Sequence, residues 1–216
     1  MAALRCYPPP VPSPELVIRD LRPVDQAGAV DLLTEAFLEF PLLRLVVGTD
    51  TGARDRLRRI FAMEFEPGSQ ASAIVAELDG RVVGALTYLD SPSCSAMSAG
   101  RMFRFMRIAG PRIVRAIRVF GRVERVHLRA PHRHLPSVAV LPALQSQGIG
   151  QRLMEEFHRR ADGAGRPAYL ETIRWTDPER PSHERFYTRL DYRVAEVVPI
   201  TAEWSVLTMI RPTVGL

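Results

Sequence analysis

The sequence predicts an α/β (α+β) domain, and three stretches carry that prediction. Ile74 to Leu78 and Arg81 to Tyr88 are apolar runs separated by Asp79-Gly80. That dipeptide readily adopts the positive φ angles of a two-residue hairpin turn. Val138 to Leu141 is a short apolar strand that leads, through a turn rich in amides and glycine, into a helix beginning near Gly148. In that helix Leu153, Met154, Phe157 and Ala161 recur at the spacing of one face. Pro167 to Thr172 then alternates as a strand, flanked by Gly163 and Gly165.

Between the hairpin and the Val138 strand lies a basic segment, residues 91–133. Arg101, Arg104 and Arg107 recur every third residue, and Arg112, Arg115, Arg118, Arg122 and Arg125 continue the pattern. Met102, Phe103, Phe105, Met106 and Ile108 lie among the first set, and Ile113, Val114, Ile117, Val119 and Phe120 among the second. Two basic amphipathic helices follow from this periodicity, with a break at Gly110-Pro111, where proline interrupts the helical ladder. They are read as an inserted helical layer with solvated arginines. A cap over a bound molecule, a contact with an anionic surface and a partner interface are the other readings.

Composition bounds the remainder. A chain of 216 residues is expected to form one domain with a sizeable core over residues 15–216, preceded by a proline-rich leader, residues 1–14. Cys6 and Cys94 give neither a disulfide framework nor a metal-site spacing, which suits a reducing, cytoplasmic setting. No apolar run approaches membrane-spanning length and no signal-peptide core opens the chain, so membrane insertion is not expected. The net charge of +5 and pI near 9.8 would suit an acidic partner. The basic residues are nevertheless scattered and no base-reading motif is visible, so a nucleic acid is not expected. Every basic residue is arginine, which excludes a catalytic or self-acetylated lysine.

The turn before the Gly148 helix holds the most chemistry. A helix start presents main-chain N–H groups without intrahelical partners and the positive end of the helix dipole. Gly148 and Gly150 carry no Cβ, so an anion can approach that backbone closely. A phosphate-binding turn follows, although not a common nucleotide loop: the lysine of a Walker A loop is missing, as is the third glycine of a dinucleotide fingerprint. Gln145 to Gly150 instead matches Gln/Arg-x-x-Gly-x-Gly/Ala, and here the sequence resembles the GNAT superfamily of acyl-CoA-dependent N-acyltransferases. Ser182 to Tyr192, with Phe186-Tyr187, looks like that family's following helix, and Val17 to Pro23 with Asp25 to Phe37 resembles its first strand and helix.

The resemblance implies a mixed, mostly antiparallel sheet of about seven strands flanked by helices. The expected order is strand, two helices, two or three strands, the inserted helices, a central strand, the phosphate-turn helix, strand, helix and a final strand pair. Acetyl-CoA is the implied co-substrate. Main-chain groups of Val138, Ala139 and Val140 would pair with its pantetheine amides, and Gln145, Ser146, Gln147, Gly148, Ile149, Gly150 and Gln151 would surround its pyrophosphate. Nothing in this requires a metal.

Tyr187 occupies the family's tyrosine position, where the phenol reaches the coenzyme sulfur as general acid; packing beside the pantetheine arm is the alternative. His183 stands where asparagine is usual, beside the coenzyme, and Asp191 stands where glycine precedes the aromatic residue. Aspartate tolerates the left-handed turn better than most residues. His134, eleven residues before Gln145, lies where some members carry a catalytic glutamate, and imidazole suits the role of base. A hydrogen-bonded strand-entry histidine is the alternative, with His132 a lesser candidate; Glu77 and Glu171 are further carboxylate candidates on adjacent strands, read first as outward-facing or structural. The activity implied is transfer of acetyl from acetyl-CoA to a primary amine of a small molecule. Transfer to protein amines and a non-catalytic acyl-CoA-responsive or arginine-rich binding module are the alternatives. Acceptor, acyl length and oligomeric state stay open, a homodimer included.

Overall fold

The computed structural model describes residues 15–91, 98–180 and 182–214; the leader, Cys6 and Cys94 lie outside them. Strand β1 (Leu16–Asp20) leads to helices α1 (Gln26–Phe37), α2 (Pro41–Val47) and α3 (Ala53–Glu64). Strands β2 (Ser72–Leu78) and β3 (Arg81–Ser91) form the expected hairpin, with Asp79 at φ 50° and Gly80 at φ 75°. After α4 (Ala99–Ala109) and α5 (Ile113–Val126) come β4 (His132–Val140), α6 (Ile149–Gly163) and β5 (Ala168–Trp175). Helix α7 (Glu184–Thr188) and strands β6 (Arg193–Pro199) and β7 (Trp204–Arg211) complete the order.

Three helices rather than two separate β1 from β2. The extra one, α2, is started by Pro41 in its first turn, where the missing N–H costs nothing. It is stopped at Gly48, which takes φ 78°. The expected break in the basic segment falls at Gly110, which turns at φ 56° into a short 3-10 stretch over Gly110–Arg112.

The sheet runs β1-β2-β3-β4-β5-β7-β6, mixed because β4 and β5 alone pair in parallel. Helix α6 covers one face. Its Leu153, Met154, Phe157 and Ala161 are fully buried against Ile74, Leu86, Leu170 and Met209. Each large side chain so buried contributes about 1.5–3 kcal/mol. Gly84 permits the close approach, since a Cβ there would lie 2.9 Å from Leu153 Cδ1. The opposite face carries α1, α2, α3 and the inserted helices, packed through Leu33, Leu57, Phe61, Val75, Ala85 and Ala139.

One irregularity matters for the site. Thr87 pairs with Ser137 and Leu89 with His134, so Leu135 and Pro136 together stand opposite Tyr88. A bulge of this kind bends its strand, and Pro136 removes a donor from the ladder. Pairing of β4 with β5 covers only Arg133, His134 and Leu135 and stops there. Beyond the bulge the two strands splay.

His158 on α6 tests how the core responds to acid. It is 8% exposed, its Nε2 lies 3.1 Å from Tyr192 Oη, and burial followed by the charge of Arg211 pushes its pKa down to about 4. The unfolded chain therefore binds the proton first. The stability contributed by neutral His158 is complete above about pH 6.5 and is lost as pH falls toward 4, on the order of 2–3 kcal/mol. Urea unfolding at pH 7 and pH 4.5 should show a smaller acid loss for His158→Gln than for wild type; equal losses would exclude His158 as the acid-sensitive group.

Candidate active site

The splay sets the main chain of β4 free on one edge. Leu141 N donates to Val83 O at 2.9 Å, and Ala139 pairs with Ala85 inside the β3 ladder. By antiparallel alternation, the main-chain groups of Val138 and Val140 point the other way, toward the departing β5. The three adjacent positions of the sequence expectation thus divide. Val138 and Val140 face the splay, whereas the main chain of Ala139 is held within the sheet. Val140 O accepts a 3.1 Å hydrogen bond from Gln145 Nε2.

The turn after β4 is a row of donors. The N–H groups from Ser146 to Gln151 find no acceptor among the described residues; the first to do so is Arg152 N, on Gly148 O at 3.0 Å. Ser146 at φ 62° and Gly148 at φ 81° fold this backbone into a concave nest of the kind that binds anions. Ile149 anchors the turn by burying its side chain in the core. The side chains of Gln145, Gln147 and Gln151 are exposed; Gln151 bonds Glu155 Oε1 at 2.9 Å. Such a row, opening beside free strand edges, fits a diphosphate joined to an amide-bearing arm.

Helix α7 lies against this turn: a Cβ on Gly150 would stand 3.8 Å from Phe186 Cζ and 3.7 Å from Val140 Cγ2. Tyr187 packs on the α6 face of the sheet, its ring 5.7 Å from that of Tyr192. Its hydroxyl makes no hydrogen bond among the described residues, and burial raises its pKa, so the phenol stays protonated. His183 is exposed at the start of α7. Asp191 makes the following turn at φ 65°.

On the other face of β4 and β5 sits a cluster of imidazoles. Glu171 Oε2 lies 2.6 Å from His134 Nε2, and Oε1 lies 3.1 Å from His127 Nδ1. Burial alone would raise the Glu171 pKa; the charge of His134 and hydrogen bonds from His127 and His134 overcome it and hold the carboxyl far below its ordinary range. The same bond raises the pKa of His127 against its own burial. His132 is fully buried and holds Ala130 O through Nδ1 at 2.8 Å, while its Nε2 has no partner; burial lowers its pKa. The Tyr169 ring packs on His127, His132 and His134 at 4.6, 4.9 and 5.4 Å.

Two members of this face escaped the sequence reading. His127 caps the C-terminus of α5, five residues before His132; the spacing of the three histidines at 127, 132 and 134 is its only signal. Glu64 ends α3 with a buried, unpartnered Oε2, and burial pushes its pKa up to about 7 against a hydrogen bond from Thr87 and the charge of Arg101. Nothing in the sequence marks it. Glu171, read as structural, stands in the centre of the cluster, whereas Glu77 is held by Arg19 on β1, whose Nε lies 2.9 Å away.

The inserted helices are tied down by part of their arginine set. Arg101 donates to Met63 O at 2.7 Å, Arg112 to Asp50 at 2.6 Å, Arg104 pairs with Glu66, and Arg122 reaches Pro199 O. Arg107, Arg115, Arg118 and Arg125 are exposed and make no such contact among the described residues. Among the described residues no helix is long and apolar enough to cross a membrane, and no group of three or more His, Cys, Asp or Glu residues could hold a metal ion.

Comparison with known proteins agrees with this geometry. Residues 69–194, more than half of the chain, match the family described as acetyltransferase (GNAT) domain. A structure from Corynebacterium glutamicum, described as histone acetyltransferase HPA2 and related acetyltransferase, is 22% identical. It covers 94% of this chain and 98% of its own, with a TM-score of 0.69. An agmatine N-acetyltransferase is 19% identical over 91% of this chain and 98% of its own, at a TM-score of 0.59. An aminoglycoside 6'-N-acetyltransferase solved with coenzyme A is 13% identical over 93% and 98%, at 0.55. Likeness at these identities carries the fold. With the sequence match and the donor-lined turn beside it, the chain belongs to the GNAT family of acetyltransferases, enzymes that use acetyl-CoA as co-substrate.

Proposed function

We propose that residues 15–216 act as one cytoplasmic acyltransferase domain that moves an acetyl group to a primary amine of a small molecule by direct attack. The observation that supports this reading is the row of unpartnered N–H groups from Ser146 to Gln151 next to the point where β4 leaves β5, with Tyr187 packed on one face of the sheet and His134 on the other. Acetyl-CoA supplies an activated acyl thioester. The N–H groups of Ser146 to Gln151 bind its diphosphate, and the main chain of Val138 and Val140 pairs with the amides of its arm. Tyr187 donates a hydrogen bond to the departing sulfur. Its raised pKa makes it a donor that stabilises developing thiolate without an early loss of its own proton. From the other face His134 takes the proton of the acceptor ammonium, leaving the nitrogen lone pair free to attack.

A small acceptor is favoured by the inserted helices, which pack on the His134 side of the sheet and bring His127, the C-cap of α5, to Glu171. Neighbours named for agmatine and aminoglycosides agree with it, and a neighbour named for histones supports the protein-amine alternative. Free-thiol release from acetyl-CoA against amines, polyamines, aminoglycosides and peptides separates the two. Turnover confined to peptides would overturn the small-molecule reading.

Tyr187→Phe should lower kcat by about a hundredfold, within the range of general acid catalysis, while calorimetry shows unchanged coenzyme affinity. Normal turnover would remove Tyr187 as donor. The two glycines should separate. At Gly148 any side chain is forced into φ 81°, so Gly148→Ala should cost about 1–2 kcal/mol of stability and weaken coenzyme binding. At Gly150 a Cβ meets only ordinary contacts, so Gly150→Ala should bind normally and gain up to ~1 kcal/mol of helix stability. Thermal unfolding and coenzyme titration of both variants check this ordering.

A further inference from the structure

Glu171 reaches two imidazoles that come from different elements, His134 from β4 and His127 from the end of the inserted α5. An ionised carboxylate only accepts hydrogen bonds, so both rings must donate to it. His134 then carries its hydrogen on Nε2 and presents Nδ1 as the lone-pair nitrogen. His127 carries hydrogen on Nδ1.

We propose that Glu171 is a positioning residue that fixes the Nδ1 lone pair of His134 as the proton acceptor, and that His127 limits the negative charge Glu171 lends to that imidazole. This inference rests on His134 being the base of the reaction. In the step, an N–H bond of the acceptor ammonium breaks and an Nδ1–H bond forms. The imidazolium is held by the Glu171 carboxylate, the amine attacks the acyl carbon, and the proton leaves to solvent after turnover. His127 competes for the same carboxylate charge. Whatever proton it carries reduces what His134 feels from Glu171, so the inserted helix adjusts the base without touching substrate.

The surroundings are specific. On α5, Glu124 favours and Arg129, just beyond the helix, opposes the charge on His127. On β4, His132 spends Nδ1 on Ala130 O, and its unpartnered Nε2 is buried within the ring stack. On β5, Tyr169 packs across all three rings, and Thr208 of β7, paired with Glu171 in register, is fully buried. His127 and His134 are thus the imidazoles that hydrogen-bond the carboxylate.

Two variants give opposite signs, which a merely structural role would not. The readout is the acidic limb of kcat/KM, measured with one primary amine that turns over in the thiol-release panel. In Glu171→Gln the limb should move to lower pH by about one unit or more, because an adjacent negative charge has been removed. In His127→Gln it should move to higher pH by about half a unit, because Glu171 is then left wholly to His134. Unchanged coenzyme affinity shows that each variant is folded. Nitrogen-15 NMR of the resting wild-type protein gives a readout that needs neither variant nor activity: His134 should be protonated at Nε2, with Nδ1 free.

Limbs that shift in the same direction, or a His134 hydrogen on Nδ1, overturn the proposal. Full turnover by His134→Gln with the Nε2–H tautomer intact in wild type overturns the base reading itself, and the positioning role of Glu171 with it. The tautomer signal keeps these two failures apart.

Discussion

The bulge at Leu135 and Pro136 is the constraint from which the site follows. A continuous β4 would hydrogen-bond β5 along its whole length and leave no main-chain donor or acceptor free in the middle of the sheet. One extra residue opposite Tyr88, and a proline that cannot donate, end that pairing at Leu135. The sheet stays anchored on both sides of the gap, through β3 on one and β7 on the other, so the opening is built into the fold. Helix α6 follows directly from the freed strand, which places its donor-lined start at the mouth of the opening.

The same gap lets the two faces of one sheet hold different chemistry. The α6 face is apolar and contributes a phenol kept protonated by its burial. The other face holds histidines and carboxylates, where burial would favour neutral forms unless charges were paired. Glu171 remains ionised there because two imidazoles donate to it, and Glu64, without such partners, is pushed toward neutrality. A buried carboxylate that has lost one partner is costly, which ties the end of α5 to the strand it faces. The end of α5 thereby joins the proposed site.

Much of this was legible in the chain. The periodicities of Leu153 to Ala161 and of the basic segment gave their helices, and Asp79-Gly80 gave the hairpin, because each signal is local and reflects one element's own geometry. Helix α2 was missed because seven residues between a proline and a glycine are too few to show a period. Gly148 and Gly150 looked equivalent in sequence. They differ because the positive φ at Gly148 strains any side chain placed there, whereas Gly150 is limited only by how near Val140 and Phe186 come to stand.

The sequence by itself determined the family and the element order apart from α2, since a strand, a Gly-x-Gly helix start and an aromatic pair are contiguous patterns. Only the tertiary structure decided which polar groups meet. His127, His134 and Glu171 are dispersed along the chain and belong to three elements, and their meeting depends on strand register and on the docking of α5. Ala139, whose flanking residues face the gap, has its main chain in the β3 ladder for the same reason. Register and docking are set by the packing of whole faces, a sum over distant contacts that no local stretch of residues encodes.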